Sequence, residues 1–294
     1  MNNEIKYNIS ISIPTSSLIQ ENSLIEKSLK VAWFARSASI FGIRNIFIYK
    51  DEKESVLRKD FTVLALLLEY LNVPQYLRKN VFPMREELQY AGILPPLKTP
   101  HHAKKIELKK ISIGDIRVGM ISRVSGKKIY LDLGLGKEVP LFVNHDQKSY
   151  NYKIGNLLNV KFISKFPNLQ VKEMPEKDIE KYWGYHVTFI SNFYSFITKI
   201  KNDTLILVTT KKGTVFKDKK REIATKLENF NNIVIFFGSP FRDLDELFPS
   251  VAWNQIPNIY FLNMFPCQNT ETIRLEEAVF GSLSIFNEFL SELN

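Results

Sequence analysis

The strongest constraint on this fold is an interruption. Two stretches of the chain alternate strand-like apolar runs with amphipathic helical runs. Between them lies a basic stretch of short strands separated by glycine and charge. Neither flank alone holds enough strands for a complete doubly wound sheet. One α/β domain with a small β-barrel inserted into it is therefore simpler than three separate domains. The expected boundaries are 1–97 and 176–294 for the discontinuous α/β domain and 98–175 for the insert.

In the first flank, Tyr7–Ile13 alternates apolar and polar residues as a half-buried strand does. Asn22 or Ser23 can cap a helix carrying Leu24, Ile25, Leu29, Ala32, Trp33 and Ile40, which Gly42 ends. Asn45–Tyr49 reads as a strand, Asp51–Glu54 as a charged turn, and Asp60–Leu71 as an apolar helix stopped before Pro74. The prolines from Pro74 to Pro100 predict extended chain and turns. In the second flank, strands are expected at Val187–Phe189, Thr204–Val208, Ile233–Phe237 and Pro257–Leu262. Helices are expected at Phe193–Ile200, Arg221–Phe230, Asp243–Phe248 and Thr272–Leu293, with Thr209–Gly213 as a loop. The stripe Ile273, Val279, Leu283, Phe286, Leu290 and Leu293 marks the last helix as core or dimer interface.

Charge follows the same division. Lys98–Lys172 holds 15 Lys and Arg against 5 Asp and Glu, while the remainder holds 25 against 26. The whole basic excess thus sits in the expected barrel, as either a solvated lysine-rich surface or a polyanion-binding module. A single cysteine, Cys267, excludes an intramolecular disulfide and a cysteine-based zinc site. The Met1–Lys6 segment does not read as the start of a signal peptide, and the most apolar run, Val63–Leu68, is far too short to span a bilayer. A soluble cytoplasmic protein is expected.

Several chemistries lack their residues. Lys211–Thr214 has no phosphate-wrapping glycines, and Gly134-Leu-Gly136 has Val139 where a dinucleotide loop needs its third glycine. No Gly-x-Ser-x-Gly elbow occurs. His101 and His102 are adjacent and seldom could converge on one ion, so no metal is expected. Two apolar runs instead empty into small polar loops: Ile233–Phe237 into Gly238-Ser239-Pro240, and Ile259–Leu262 into the Thr-rich Asn263–Thr272. Such loops at the carboxyl edge of a sheet can seat a small polar cofactor. They also serve as ordinary strand-to-helix turns, with Thr272 as an N-cap. Local chemistry leaves both readings open.

An ordered set of segments narrows the choice. These are Ala35–Gly42, Leu68–Arg78, Tyr90–Leu97 with His101-His102, Gly184–Val187, Phe237–Ser239 and Asn269–Ala278. As a set they resemble the SPOUT-superfamily RNA methyltransferases, in the archaeal and eukaryotic branch whose α/β-knot domain carries an inserted OB-like domain. The resemblance implies a trefoil knot in the C-terminal half, an S-adenosylmethionine cofactor and a homodimer formed through the knot domain. Carried over by position, the cofactor residues are Thr209, Thr210 and Gly213 on one loop and Phe237, Gly238, Ser239 and Pro240 on the next. On the last loop they are Leu262, Asn263, Phe265, Gln268, Thr270 and Thr272. The resemblance makes Arg36 the catalytic candidate, since a guanidinium can stabilise a nucleophile losing its proton. Arg274 and Glu276 are expected to pair with each other or with the knot.

RNA contacts are expected from Lys104, Lys105, Lys109 and Lys110, then Arg117, Arg123, Lys127 and Lys128, with Lys211 and Lys212 near the cofactor loops. Tyr130, Phe142, Tyr150, Tyr152 and Phe162 lie among or beyond the barrel lysines and either stack bases or fill the barrel. The activity implied is S-adenosylmethionine-dependent methylation of RNA, ribosomal RNA first. A base nitrogen such as uridine N3 is preferred to a ribose 2′-hydroxyl. The alternative is a non-catalytic RNA-binding assembly factor that keeps the knot as a dimerisation fold.

Overall fold

The computed structural model describes residues 7–51, 54–102, 107–143, 152–200 and 202–293. In chain order the elements are β1 (Asn8–Pro14), α1 (Leu24–Ile40), β2 (Asn45–Tyr49), α2 (Glu54–Asn72) and α3 (Gln75–Val81). The strands β3 (Ile116–Ser125), β4 (Lys128–Asp132), β5 (Glu138–Phe142), β6 (Leu157–Phe162) and β7 (Val171–Glu173) follow. Then come β8 (His186–Ile190), α4 (Phe193–Ile197), β9 (Thr204–Val215), α5 (Phe216–Leu227), β10 (Asn232–Phe237), α6 (Leu244–Leu247), β11 (Ile259–Asn263) and α7 (Leu275–Glu292).

The chain divides into two compact units: Met1–Glu69 with Glu86–Pro95 and Gly184–Asn294, and Tyr70–Arg85 with Pro96–Trp183. The first unit is α/β. Its six strands form one parallel sheet in the order β11-β9-β10-β1-β2-β8, drawing strands from both flanks. Parallel strands covered on both faces read as continuous apolar runs, and Ile233–Phe237 is such a run, buried throughout. On one face Tyr49, Phe193, Phe236 and Phe248 pack together, with Phe193 and Phe248 stacked at 4.0 Å. α5 lies against β9, and α7 against β10 and α1.

Local chemistry explains where α1 begins and ends. The Ser23 hydroxyl accepts from the Glu26 amide, and the Glu26 carboxylate accepts from the Ser23 amide. Gly42 takes φ 68°, the left-handed turn that follows the last residues of the helix. The expected N-cap Thr272 is not used on α7. Arg274 is the cap residue there, with the Glu277 carboxylate accepting from its amide.

Three other expectations are corrected. The tract after Pro74 holds the helix α3, because Pro74 fixes an N-cap conformation and Tyr76 and Leu77 turn inward. α5 begins at Phe216 rather than Arg221, since Phe216 is buried against Phe286 and Phe289 and draws the first turn onto α7. The loop expected at Thr209–Gly213 is part of β9. Val208 pairs with Phe261, but the next pairing with β11 joins Thr214 to Leu262, so Thr209–Gly213 bulge away from β11 and return.

In the second unit, β3-β4-β5-β7-β6 close a barrel, with β5 and β7 parallel and the other neighbours antiparallel. Ile121, Leu131, Val139, Val160, Phe162 and Val171 fill it. Phe162, one of the aromatic residues weighed for base stacking, is therefore core. Gly134 takes φ 68° and leaves no room for a Cβ beside the Tyr76 ring. This is the bend expected from Gly134-Leu-Gly136. His101 and His102 cap the end of α2: their Nε2 atoms lie 2.7 and 3.0 Å from the carbonyl oxygens of Asn72 and Leu71. Both imidazoles are held below their ordinary range, chiefly by burial.

Candidate functional site

The carboxyl ends of β9, β10 and β11 open into a cleft of about 430 Å³ in the first unit. Its walls are the Thr209–Lys212 bulge, the Phe237–Asp243 turn, Met264 and Phe265 after β11, and the Glu271–Leu275 entry to α7. Each wall is fixed by the backbone. The Phe237 carbonyl accepts from the buried Tyr49 hydroxyl at 2.7 Å, and burial raises that phenol well above its ordinary range. Thr209 Oγ1 donates to the Phe236 carbonyl at 3.1 Å. Ser239 Oγ accepts from the Arg242 amide at 3.0 Å, closing a tight turn. A Cβ on Gly238 would stand 2.9 Å from the Arg242 carbonyl oxygen, so the turn can close only over glycine.

The third wall has its own supports. Asn263 Nδ2 donates to the Lys211 carbonyl at 3.0 Å and its Oδ1 accepts from the Phe265 amide at 2.9 Å, tying the end of β11 to the bulge of β9. Gly213 faces the backbone of Phe261 and Leu262, where a Cβ would approach to 2.6 Å. The Phe265 ring occupies the space that a Cβ on Gly281 of α7 would take. Gln268 Nε2 donates to the carbonyls of Thr270 and Glu271 at 2.9 and 3.2 Å.

Of the residues expected to hold a cofactor, Thr209, Thr210, Phe237, Gly238, Ser239, Pro240, Phe265, Gln268 and Thr272 line this one cleft. Gly213, Leu262, Asn263 and Thr270 do not; the first three shape the strands behind it. Lys211 and Lys212 line the cleft as well. Lys211 Nζ reaches the Glu271 carbonyl at 3.4 Å. Lys212 pairs with Glu246 and stands 3.5 Å from Asp243; the Glu246 hydrogen bond raises the ammonium pKa and lowers that of the carboxyl.

The sequence also matches a family model. Residues 8–286 fit the model described as "Putative RNA methyltransferase". The chain belongs to this family. Among its relatives is a 28S rRNA (uridine-N(3))-methyltransferase of Drosophila melanogaster, 26% identical over 96% of this chain and 62% of that protein. The Homo sapiens protein of the same name is 27% identical over 95% of this chain and 77% of its own length. The chain thus spans less than two thirds of the fly relative.

Arg36 lies half-buried on α1, outside the cleft lining. The expected pairing of Arg274 and Glu276 exists, 3.1 Å apart, within a larger cluster. Arg274 also meets Glu21 at 2.7 Å, and Lys30 reaches Glu21 at 3.0 Å and Glu276 at 3.2 Å. Lys30 and Glu21 are almost wholly buried, so the cluster joins α1 to the entry of α7. It therefore anchors the Glu271–Ile273 wall of the cleft.

The barrel cations are less uniform than composition suggested. Lys109, Lys110, Arg123, Lys127 and Lys128 are exposed. Arg123 pairs with Glu138 and lies over the Tyr130 ring at 3.8 Å. Arg117 is corrected: it is only 2% exposed, donates from Nε to the Leu133 carbonyl and stacks on Tyr76, so burial keeps it from a phosphate. Lys104, Lys105 and Tyr150 lie outside the described residues.

Sequence reasoning missed Asp243, Glu246 and Ser282 as cleft residues. Ser282 is fully buried on α7, and its hydroxyl has no hydrogen-bond partner among the described residues. The available signal was a Gly281-Ser282 pair inside an otherwise apolar helix stripe.

Proposed function

We propose that the chain is an S-adenosylmethionine-dependent methyltransferase that modifies uridine N3 of ribosomal RNA. The observation that carries this reading is the cleft itself, built from three neighbouring strand ends in a chain of an RNA methyltransferase family. Three features fit the cofactor. The volume falls within the range of small-ligand sites, roughly 300–1,000 Å³. Gly238 leaves the backbone open to close approach, and the Ser282 hydroxyl is a buried polar group without a partner among the described residues. Thr209, Thr210, Phe237, Gly238, Ser239, Pro240, Phe265, Gln268 and Thr272 would hold the ligand. The cofactor supplies an electrophilic methyl on a sulfonium.

The names of the fly, human and mouse relatives favour a uridine ring nitrogen over a ribose hydroxyl. Uridine N3 must lose its proton as it gains a methyl group, and a guanidinium nearby stabilises the charge that develops. Arg36 takes that part in this reading. It belongs to a stripe with Leu29, Trp33 and Ile40 on α1, three and four residues apart. Leu29, Trp33 and Ile40 are 44%, 55% and 51% exposed, and the Trp33 ring meets Phe280 of α7 edge-on at 6.1 Å. An apolar face of this kind favours a homodimer. A dimer through it would bring Arg36 to the second subunit. The chain would then be a SPOUT enzyme with a knotted α/β domain and an OB-like insert. The barrel's strand order and its one parallel pair support the OB-like reading.

The test is an in-vitro reaction on ribosomal RNA with the product nucleosides resolved by mass spectrometry. N3-methyluridine is expected, reduced at least tenfold in Arg36→Ala with cofactor affinity kept. A 2′-O-methyl product would refute the acceptor. No product from a folded, cofactor-binding dimer would favour the assembly-factor alternative.

A further inference from the structure

The outer face of the barrel carries a row of side chains that the hydrogen-bond register places side by side. In the antiparallel pair of β6 and β7, Lys161 stands directly opposite Lys172. In the parallel pair of β5 and β7, Phe142 is matched to Lys172. Ile129 of β4 faces Leu141 of β5, so one residue further along that register Lys128 comes beside Phe142. Lys128, Phe142, Lys172 and Lys161 are all exposed, while their strand neighbours Ile129, Leu141, Val171, Val160 and Phe162 point into the core. The row therefore crosses four adjacent strands on one face, about 14 Å along the sheet.

This arrangement is unfavourable for the barrel alone. Side chains directly opposite in an antiparallel pair have Cβ atoms about 5 Å apart, and like charges there repel. The Phe142 ring between these cations stays 45% exposed. The acids nearest on the same strands are engaged elsewhere. Glu138 is held by Arg123 and Ser122, Asp132 by Asn80 and the Gly134 amide, and Glu173 by Tyr152. Among the described residues, Lys128, Lys161 and Lys172 form no ion pair. A flat apolar ring flanked by unneutralised cations is complementary to a base with phosphates on either side.

We propose that this row is a single-stranded RNA-binding track, on which Phe142 stacks an unpaired base while Lys128, Lys161 and Lys172 contact the backbone. It rests on the reading that the substrate is RNA and assigns that substrate a place and a form. Stacking needs a base free of its duplex, so the track selects unpaired segments.

The test is fluorescence anisotropy of the full chain with a labelled oligouridine of about twelve nucleotides, within the span of one small barrel. No methyl donor is added, so binding is read independently of catalysis. Phe142→Ala is expected to weaken binding at least about fivefold at every salt concentration, with the salt slope unchanged. Lys161→Ala with Lys172→Ala is expected to lower the logarithmic salt slope by roughly 1.4, about 0.7 for each phosphate no longer neutralised. Lys172→Glu separates binding from folding. It should weaken binding at least about tenfold while raising the melting temperature, because it gives Lys161 an opposite charge. Wild-type affinity and slope in these variants would overturn the track. So would a Lys172→Glu protein that loses stability and binding together, or preferred binding of a blunt RNA duplex that Phe142→Ala leaves untouched. Loss of methyl transfer in a wild-type protein that still binds oligouridine would count against the enzyme and leave the track standing.

Discussion

Two sets of lysines, one in each unit, are placed in opposite ways. In the α/β unit one set is matched to carboxylates: Lys27 to Asp60, Lys30 to Glu21 and Glu276, Lys212 to Asp243 and Glu246, and Lys220 to Glu292. On the outer barrel face Lys161 opposes Lys172 across a strand pair. Matched charge builds structure, and unmatched charge waits for a ligand. The basic excess that composition localises is therefore a property of surface design in one unit, and the near-neutral remainder conceals an ionic cluster that holds α1 to α7.

The sharpest break of this comparison is Lys30→Ala. It leaves Glu21 and Glu276 with only the half-exposed Arg274 as a cation and should cost up to about 3 kcal/mol in urea unfolding. Lys172→Ala should change stability by less than about 0.5 kcal/mol, or raise it slightly. Equal losses in the two variants would erase the distinction.

A pH titration probes the second unit's own buried polar cluster. Burial, with the charges of His101 and Arg78, holds His102 down to about 3 from 6.5. The unfolded chain therefore binds a proton that the folded chain refuses. Stability from this group is complete above about pH 6.5 and is lost as pH falls towards 3, by up to about 1.4 kcal/mol per pH unit. Melting curves between pH 7 and pH 4.5 should show this slope, and His102→Asn should flatten it. A wild-type slope in the variant would remove His102 as its source.

The smallest effect is expected at Lys212. Its pairing with Glu246 is solvent-exposed, so Lys212→Ala should leave the unfolding midpoint unchanged. RNA methylation should fall if the ammonium exchanges Glu246 for a phosphate. A large stability loss would make the pair structural and bring it under the rule of Lys30.

Much of this was legible in the residues. Apolar runs such as Ile233–Phe237 marked the parallel strands, and Asn22 or Ser23 ahead of the Leu24 stripe marked the start of α1. The barrel was legible from glycine spacing and alternation. The site was legible where small residues follow a strand, as at Gly238-Ser239. What escaped depends on tertiary contact. Arg117 reads as one more surface cation because charge counting cannot tell the inner face of a barrel from the outer. Thr209–Gly213 reads as a loop because its polar residues hide a strand that leaves one neighbour and rejoins it after five residues unpaired with it. Glu21 and Arg274 lie 253 residues apart, and only the fold brings them together.

The central claim is that the β9-β10-β11 cleft holds the methyl donor, and titration calorimetry with S-adenosylmethionine tests it most directly. The expected result is saturable binding by the wild-type chain and a loss of at least about tenfold, or 1.4 kcal/mol, in Gly238→Val, whose side chain must fill the space beside the Arg242 carbonyl. Absence of binding by folded wild-type protein, or equal affinity in a folded Gly238→Val variant, would contradict it.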